Sequence, residues 1–183
     1  MLEKLIANHC APALAGIKPA NIAACLKDCI PDVHERLEKL NGELNCRDIY
    51  LEIICECDKR ALIVVYRRKI LEKQLSLDEN REFLLNFGYP ESGSVEGYIR
   101  FLKTRLCREE FPHEIGVFLG YPLQDITAFI NHRDEGCLLI GEWKVYHNPE
   151  EARKLFGRFK ACRNALLRRV SGGRTLAQIF CAA

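Results

Sequence analysis

Ile49-Tyr-Leu-Glu-Ile-Ile-Cys-Glu-Cys57 and Ala61-Leu-Ile-Val-Val-Tyr66 flank the short polar segment Asp58-Lys59-Arg60. β-Branched and aromatic residues crowd both runs, and such side chains fit a pleated, half-buried surface better than a helix. Two such runs around a brief polar turn read as a β-hairpin. Leu51, Ile54 and Cys55 also fit one face of a helix, so the hairpin rests chiefly on the second run.

Before the hairpin, the first forty residues read as three short helices. Leu2–His9 forms one, and Pro19 opens a second that Pro31 closes. A third runs from Asp32 to about Gly42, with Asp32 and Glu35 spaced as a capping box. After the hairpin, Leu71–Phe87 reads as a helix broken near Ser76-Leu77-Asp78, with Asp78 capping its second part. Val95, Tyr98, Ile99, Leu102 and Leu106 then recur at helical spacing behind Ser94.

Gly88-Tyr89-Pro90 and Gly120-Tyr121-Pro122 repeat one turn signal: glycine for unusual backbone angles, proline to open the next helix. Ahead of the second lies Phe111-Pro112-His113-Glu114, then the apolar run Ile115–Leu119. An apolar run between turn formers reads as a buried strand, with His113 and Glu114 at its mouth. A short helix over Asp125–Ile130 follows, then a strand within Cys137–Tyr146. Asn148-Pro149 starts a long amphipathic helix, and a final short helix follows Gly172-Gly173.

These elements sum to an α+β fold: a small, mainly antiparallel sheet of three or four strands packed by helices. At 183 residues the chain is expected to form a single domain. Its parts are a helical segment over 1–43, an α+β body over 44–148 and basic helices over 149–183.

Apolar residues make up 48% and charged residues 28%, the composition of an ordinary globular protein. No apolar run approaches the roughly eighteen residues that span a bilayer, so no membrane partner is expected. The start lacks the pattern of a secretory signal, and the cytoplasm is the expected compartment. The ten cysteines then read mostly as small buried hydrophobes, and none has Cys-x-x-Cys spacing. The net charge of +2 divides unevenly: residues 149–183 carry +6, leaving −4 for residues 1–148. The basic segment suits a solvated helix face with acids at its start, or an anionic ligand or acidic partner. Without an array of base-stacking aromatics, nucleic acid is the less favoured partner.

Three kinds of chemistry are open. Cys10, ahead of Pro12, would gain thiolate character at a helix N-terminus. His113 would serve as its base, with Glu114 or Asp125 orienting the ring, in a thiol-dependent hydrolase or transferase. Alternatively, His9, Cys10 and His113, with Glu114, supply a mixed first shell for a metal or haem. Cys55 with Cys57 and Cys25 with Cys29 are weaker ligand pairs. The third reading is a module that binds or regulates without chemistry. Tyr121, Trp143 and Tyr146, with Tyr89, line its pocket, and Arg and Lys of the last long helix meet an anionic group. No Gly-rich phosphate loop, Gly-x-Ser-x-Gly or His-Glu-x-x-His is present, so no cofactor is named.

Several motifs together carry a resemblance. They are His9-Cys10-Ala11-Pro12, Leu14-Ala15-Gly16-Ile17-Lys18-Pro19, Pro112-His113-Glu114, Leu119-Gly120-Tyr121-Pro122 and Trp143-Lys144-Val145-Tyr146. The chain resembles, over nearly its whole length, the family known as domain of unknown function 3793, found largely in Clostridia and related anaerobes. The resemblance implies a bacterial, cytoplasmic protein and no particular activity. The preferred reading is a module for a small or anionic ligand, its site gathered from His9-Cys10, Pro112-His113-Glu114 and Gly120-Tyr121-Pro122.

Overall fold

A computed structural model describes residues 1–108 and 110–181, so the last two residues of the expected basic segment lie outside it. The elements follow in the order α1 (Leu2–Leu14), β1 (Ala20–Leu26), α2 (Val33–Leu44), β2 (Ile49–Glu56), β3 (Arg60–Arg67), α3 (Arg68–Leu75), α4 (Asp78–Leu85) and α5 (Val95–Leu106). Then come α6 (Ile115–Phe118), α7 (Leu123–His132), β4 (Leu139–Ile140), β5 (Lys144–Val145), α8 (Pro149–Ser171) and α9 (Leu176–Phe180). The hairpin is real, and it is two-thirds of the main sheet. β3 lies at the centre, paired antiparallel to β2 on one side and β1 on the other. The fold is therefore α+β, with a second two-stranded ribbon of β4 and β5.

Alternation along β3 organises two cores, because successive side chains of a strand point to opposite faces. Ala61, Ile63 and Val65 face a cluster built with α1, α2, α8 and α9, including Ile6, Cys10, Leu44 and Leu166. Leu62, Val64 and Tyr66 face the other, built with α3 to α7. Each fully buried Leu or Ile there is worth about 1.5–3 kcal/mol over leaving it exposed. Both faces of the sheet are thus covered.

Several local expectations needed correction. Residues 20–26 form β1, not a helix between Pro19 and Pro31. With β2 on one edge, β3 would leave a row of amides and carbonyls unpaired on the other, and β1 satisfies them from Ala20↔Tyr66 to Leu26↔Arg60. Its alanines, Ala20 and Ala23, are buried, and α1 packs closely on the strand. α1 runs through Pro12 instead of opening there. The Oδ1 of Asn21 on β1 accepts the Ala13 amide at 3.0 Å, just past the proline.

The run after Glu114 is a helix, α6, rather than a strand. All four of its residues are buried, and Gly116 allows α7 to sit against it: a Cβ there would lie 2.9 Å from Ile126. Cys137–Tyr146 yields only the two-residue strands β4 and β5. Neither Asp78 nor Asp32 makes the expected cap; Asp78 is the first helical residue of α4, and Asp32 binds Arg36 at 2.8 Å instead. Ser94, which precedes α5, caps it by accepting from the Gly97 amide.

Candidate functional site

A cavity of about 350 Å³ opens on the α3–α7 side of the sheet, walled by Ile22 of β1, by α6 and α7, and by the turn between β4 and β5. Phe111, Phe129, Tyr121 and Trp143 give it aromatic walls, and His113, Asp125 and Lys144 supply its polar groups. Four of the residues singled out from the sequence therefore line one space: His113, Tyr121, Asp125 and Trp143.

Asp125 holds the wall together. It is 2% exposed, and Oδ2 accepts the Trp143 indole N–H at 2.7 Å. Its Oδ1 accepts the backbone amides of Tyr146 and His147 at 2.8 and 3.0 Å. One carboxylate on α7 thus fixes the ribbon and the indole; it is a positioning group whose acceptors are already engaged. Tyr146 contributes through its backbone, and its phenol donates to the Arg133 carbonyl.

His113 stands half-exposed in the turn before α6, edge-on to Phe129 with ring centroids 4.9 Å apart. Arg133 Nη1 lies 2.6 Å from its Nε2. A guanidinium can only donate, so Nε2 accepts and the neutral ring carries its proton on Nδ1. Burial first, then the Arg133 charge, lowers the histidine's proton affinity. His113 is built to stay neutral and offer one N–H. Glu114 turns away, 1% exposed, into an ion pair with Arg105 at 2.7 Å.

Tyr121 is positioned by Gly120, whose φ of +69° suits glycine. A Cβ on Gly120 would lie 2.7 Å from Pro19 Cδ, so the Lys18-Pro19 and Gly120-Tyr121-Pro122 motifs meet face to face. The Tyr121 phenol donates to the Glu142 carbonyl at 3.0 Å, and its ring lies 4.9 Å from that of Trp143. Burial pushes that phenol up to about 12.

Behind Tyr121 lies a residue the sequence reading passed over. Lys18 is 3% exposed, and its ammonium sits 4.8 Å from the Tyr121 ring centroid and 5.4 Å from that of Phe159. Burial brings it down to about 8, against the opposing pull of Glu142. Glu142 also binds Arg163 of α8 at 2.8 Å, so one base of the long helix does reach the back of this site. Nothing local to Ile17-Lys18-Pro19 marked it, because the rings that cover it come from distant segments. Arg133 and Phe129 were missed as well, and nothing in their spacing marked them.

Cys10 and His9 do not join the cavity. Cys10 is fully buried in the core on the α1 side, and burial holds its thiol far above the ordinary range. It lies well inside α1, so no helix N-terminus favours its thiolate. His9 is exposed, and among the described residues its ring bonds only to Asn8. Among the described residues no three of the His, Cys, Asp and Glu side chains come together as a metal site. Nor, among them, is any helix long and apolar enough to cross a membrane.

No curated protein and no solved structure matches the chain. One family does. The profile described as "Protein of unknown function (DUF3793)" matches residues 6–180, which include every motif quoted above from His9 to Tyr146. The two cores, the cavity and the buried lysine are thus features of a chain that belongs to the DUF3793 family.

Proposed function

We propose that the protein binds a small, flat, largely apolar molecule carrying an accepting or anionic group in the cavity between β1, α6, α7 and the β4–β5 turn. The carrying observation is the lining: four aromatic side chains around about 350 Å³, with His113 and Lys144 as the donors. Ligand sites are typically concave and apolar with a few placed polar groups, and this volume falls within their usual range. The His113 Nδ1–H is a neutral donor, and Lys144, paired with Asp134, adds a cation at the same wall. Lys144 and Arg133 both lie near the Phe129 ring, at 5.1 and 5.6 Å from its centroid. That arrangement suits an aromatic carboxylate better than a neutral hydrocarbon.

Binding is favoured over thiol catalysis because the two proposed partners are spoken for. Cys10 is packed as a protonated core residue, and the Nε2 of His113 is occupied by Arg133. The ten cysteines, none bridged to another, suit a reducing compartment, and we read the protein as bacterial and cytoplasmic.

Trp143 is the only tryptophan of the chain and forms part of the cavity wall, so its emission reports occupancy. Titration with a series of aromatic carboxylates and their neutral amides should give a saturable change in that emission, larger for the acids. The change should weaken at least tenfold in affinity in Phe129→Ala. If no member of the series shifts the emission or the melting temperature, the reading fails.

A further inference from the structure

Cys46 and Cys181 stand 135 residues apart in the chain, yet their sulfur atoms are 4.0 Å apart. Cys46 lies in a single 3-10 turn, Asn45–Arg47, that continues α2, and Cys181 directly follows α9. Both thiols point at one acceptor, each Sγ lying 3.3 Å from the Glu43 carbonyl oxygen. Arg47 completes the group, its Nη2 lying 3.4 Å from the Cys181 carbonyl. Cys46 is exposed and Cys181 half-buried, whereas Cys10 and Cys25 are closed in the core.

We propose that Cys46 and Cys181 are a thiol–disulfide site, oxidised by small disulfides to a bridge that fastens α9 to α2. A disulfide needs its sulfurs at about 2.05 Å, so the pair must close by about 2 Å, a distance side-chain rotation can cover. Exposure assigns the roles. Cys46, deprotonated by solvent, attacks one sulfur of the small disulfide; the S–S bond breaks and one thiolate leaves. Cys181 then loses its proton to solvent and attacks the Cys46 sulfur, expelling the second thiolate. Two protein thiols and one small disulfide become one protein disulfide and two small thiols. Burial, followed by the neighbouring Cys46, raises the Cys181 thiol, which fits a resolving thiol rather than the first attacker.

The bridge has a structural consequence because α9 is held by few residues. Leu176 is its one fully buried side chain, with Ile179 and Phe180 packed against the core beside α1 and α2. Linking residues so distant in sequence restricts the unfolded chain strongly.

The test uses the full chain, reduced and then incubated with oxidised glutathione, with free thiols alkylated before non-reducing peptide mapping. A Cys46–Cys181 linked peptide should dominate, with a rise in melting temperature of roughly 5–15 °C that dithiothreitol reverses. Cys181→Ser should instead retain glutathione on Cys46, and Cys46→Ser should leave Cys181 largely unmodified. A bridge between other cysteines, or stable glutathione on both residues of the native protein, overturns the proposal. The outcome is independent of the cavity, since neither cysteine lines it.

Discussion

Gly88-Tyr89-Pro90 and Gly120-Tyr121-Pro122 are the same three residues put to different uses. In both, glycine takes a positive φ, +85° and +69°, and the chain turns into a new segment. Tyr89 then disappears into the core, 2% exposed, among Tyr98, Phe101 and Phe118. Its phenol has no hydrogen-bond partner among the described residues. Tyr121 stays half-buried, with its phenol satisfied by Glu142 and its ring shared between Lys18, Trp143 and the cavity. The tripeptide sets the turn, and what the following element supplies decides the rest. α5 closes over Tyr89, whereas α7 and the β4–β5 ribbon leave room beside Tyr121.

The sharpest way to break this comparison is at the glycines. Gly120→Ala must fit a Cβ 2.7 Å from Pro19 at a left-handed φ, and should cost about 3–4 kcal/mol in urea unfolding. Gly88→Ala meets only Phe101, at 3.5 Å, and should cost about 1 kcal/mol. Equal costs would mean that the contact with Pro19 does not matter.

Next in size is Lys18, the buried ammonium behind the second turn. The folded ammonium lies at about 8, below its ordinary 10.5. Between those values the unfolded chain holds a proton that the folded chain has released, so this group's contribution to stability rises with pH. Below pH 8 the full penalty is present. Lys18→Met should therefore be more stable than the native chain by about 2 kcal/mol at pH 7. That advantage should shrink through pH 8 to 10.5, as read by denaturant midpoints at each pH. A constant difference would assign the gain to packing alone.

The smallest effects belong to the phenols. Tyr121→Phe should cost about 1 kcal/mol by losing its bond to Glu142. Tyr89→Phe should cost nothing and can stabilise slightly, since its hydroxyl is buried without a partner among the described residues. Thermal unfolding of the two variants side by side measures the difference.

Some of this architecture was legible from the residues. Ile49–Tyr66 announced β2 and β3 because β-branched side chains were concentrated there, and the helical spacing of Val95, Tyr98, Ile99, Leu102 and Leu106 announced α5. β1 was not legible: its alanines carry no strand preference, and its pairing depends on β3 some forty residues away. α6 is four residues long with every side chain buried, too short for a period to show. For the candidate site, the aromatic and titratable residues flanking the second turn stood out, and the cavity gathers His113, Tyr121, Asp125 and Trp143. Cys10 misled, because adjacency to Pro12 looked like a helix start when the proline lies inside α1. Lys18 gave no sign of burial, since its concealment is made by Tyr121 and Phe159 from distant segments.

The place of β1 at the sheet edge has a kinetic consequence. β2 and β3 join through a three-residue turn and can pair early, for little loop entropy. β1 must return across α2 and the hairpin before it finds β3, so its pairing closes the longer loop and is expected to form after that of the hairpin. Ile22 on β1 lines one wall of the cavity, and Pro19 just before it packs on Gly120, next to Tyr121 of the lining. The amides of β1 should therefore exchange with deuterium faster than those of β3. Because Ile22 lines the cavity, any opening of β1 would also widen the route by which a ligand enters it.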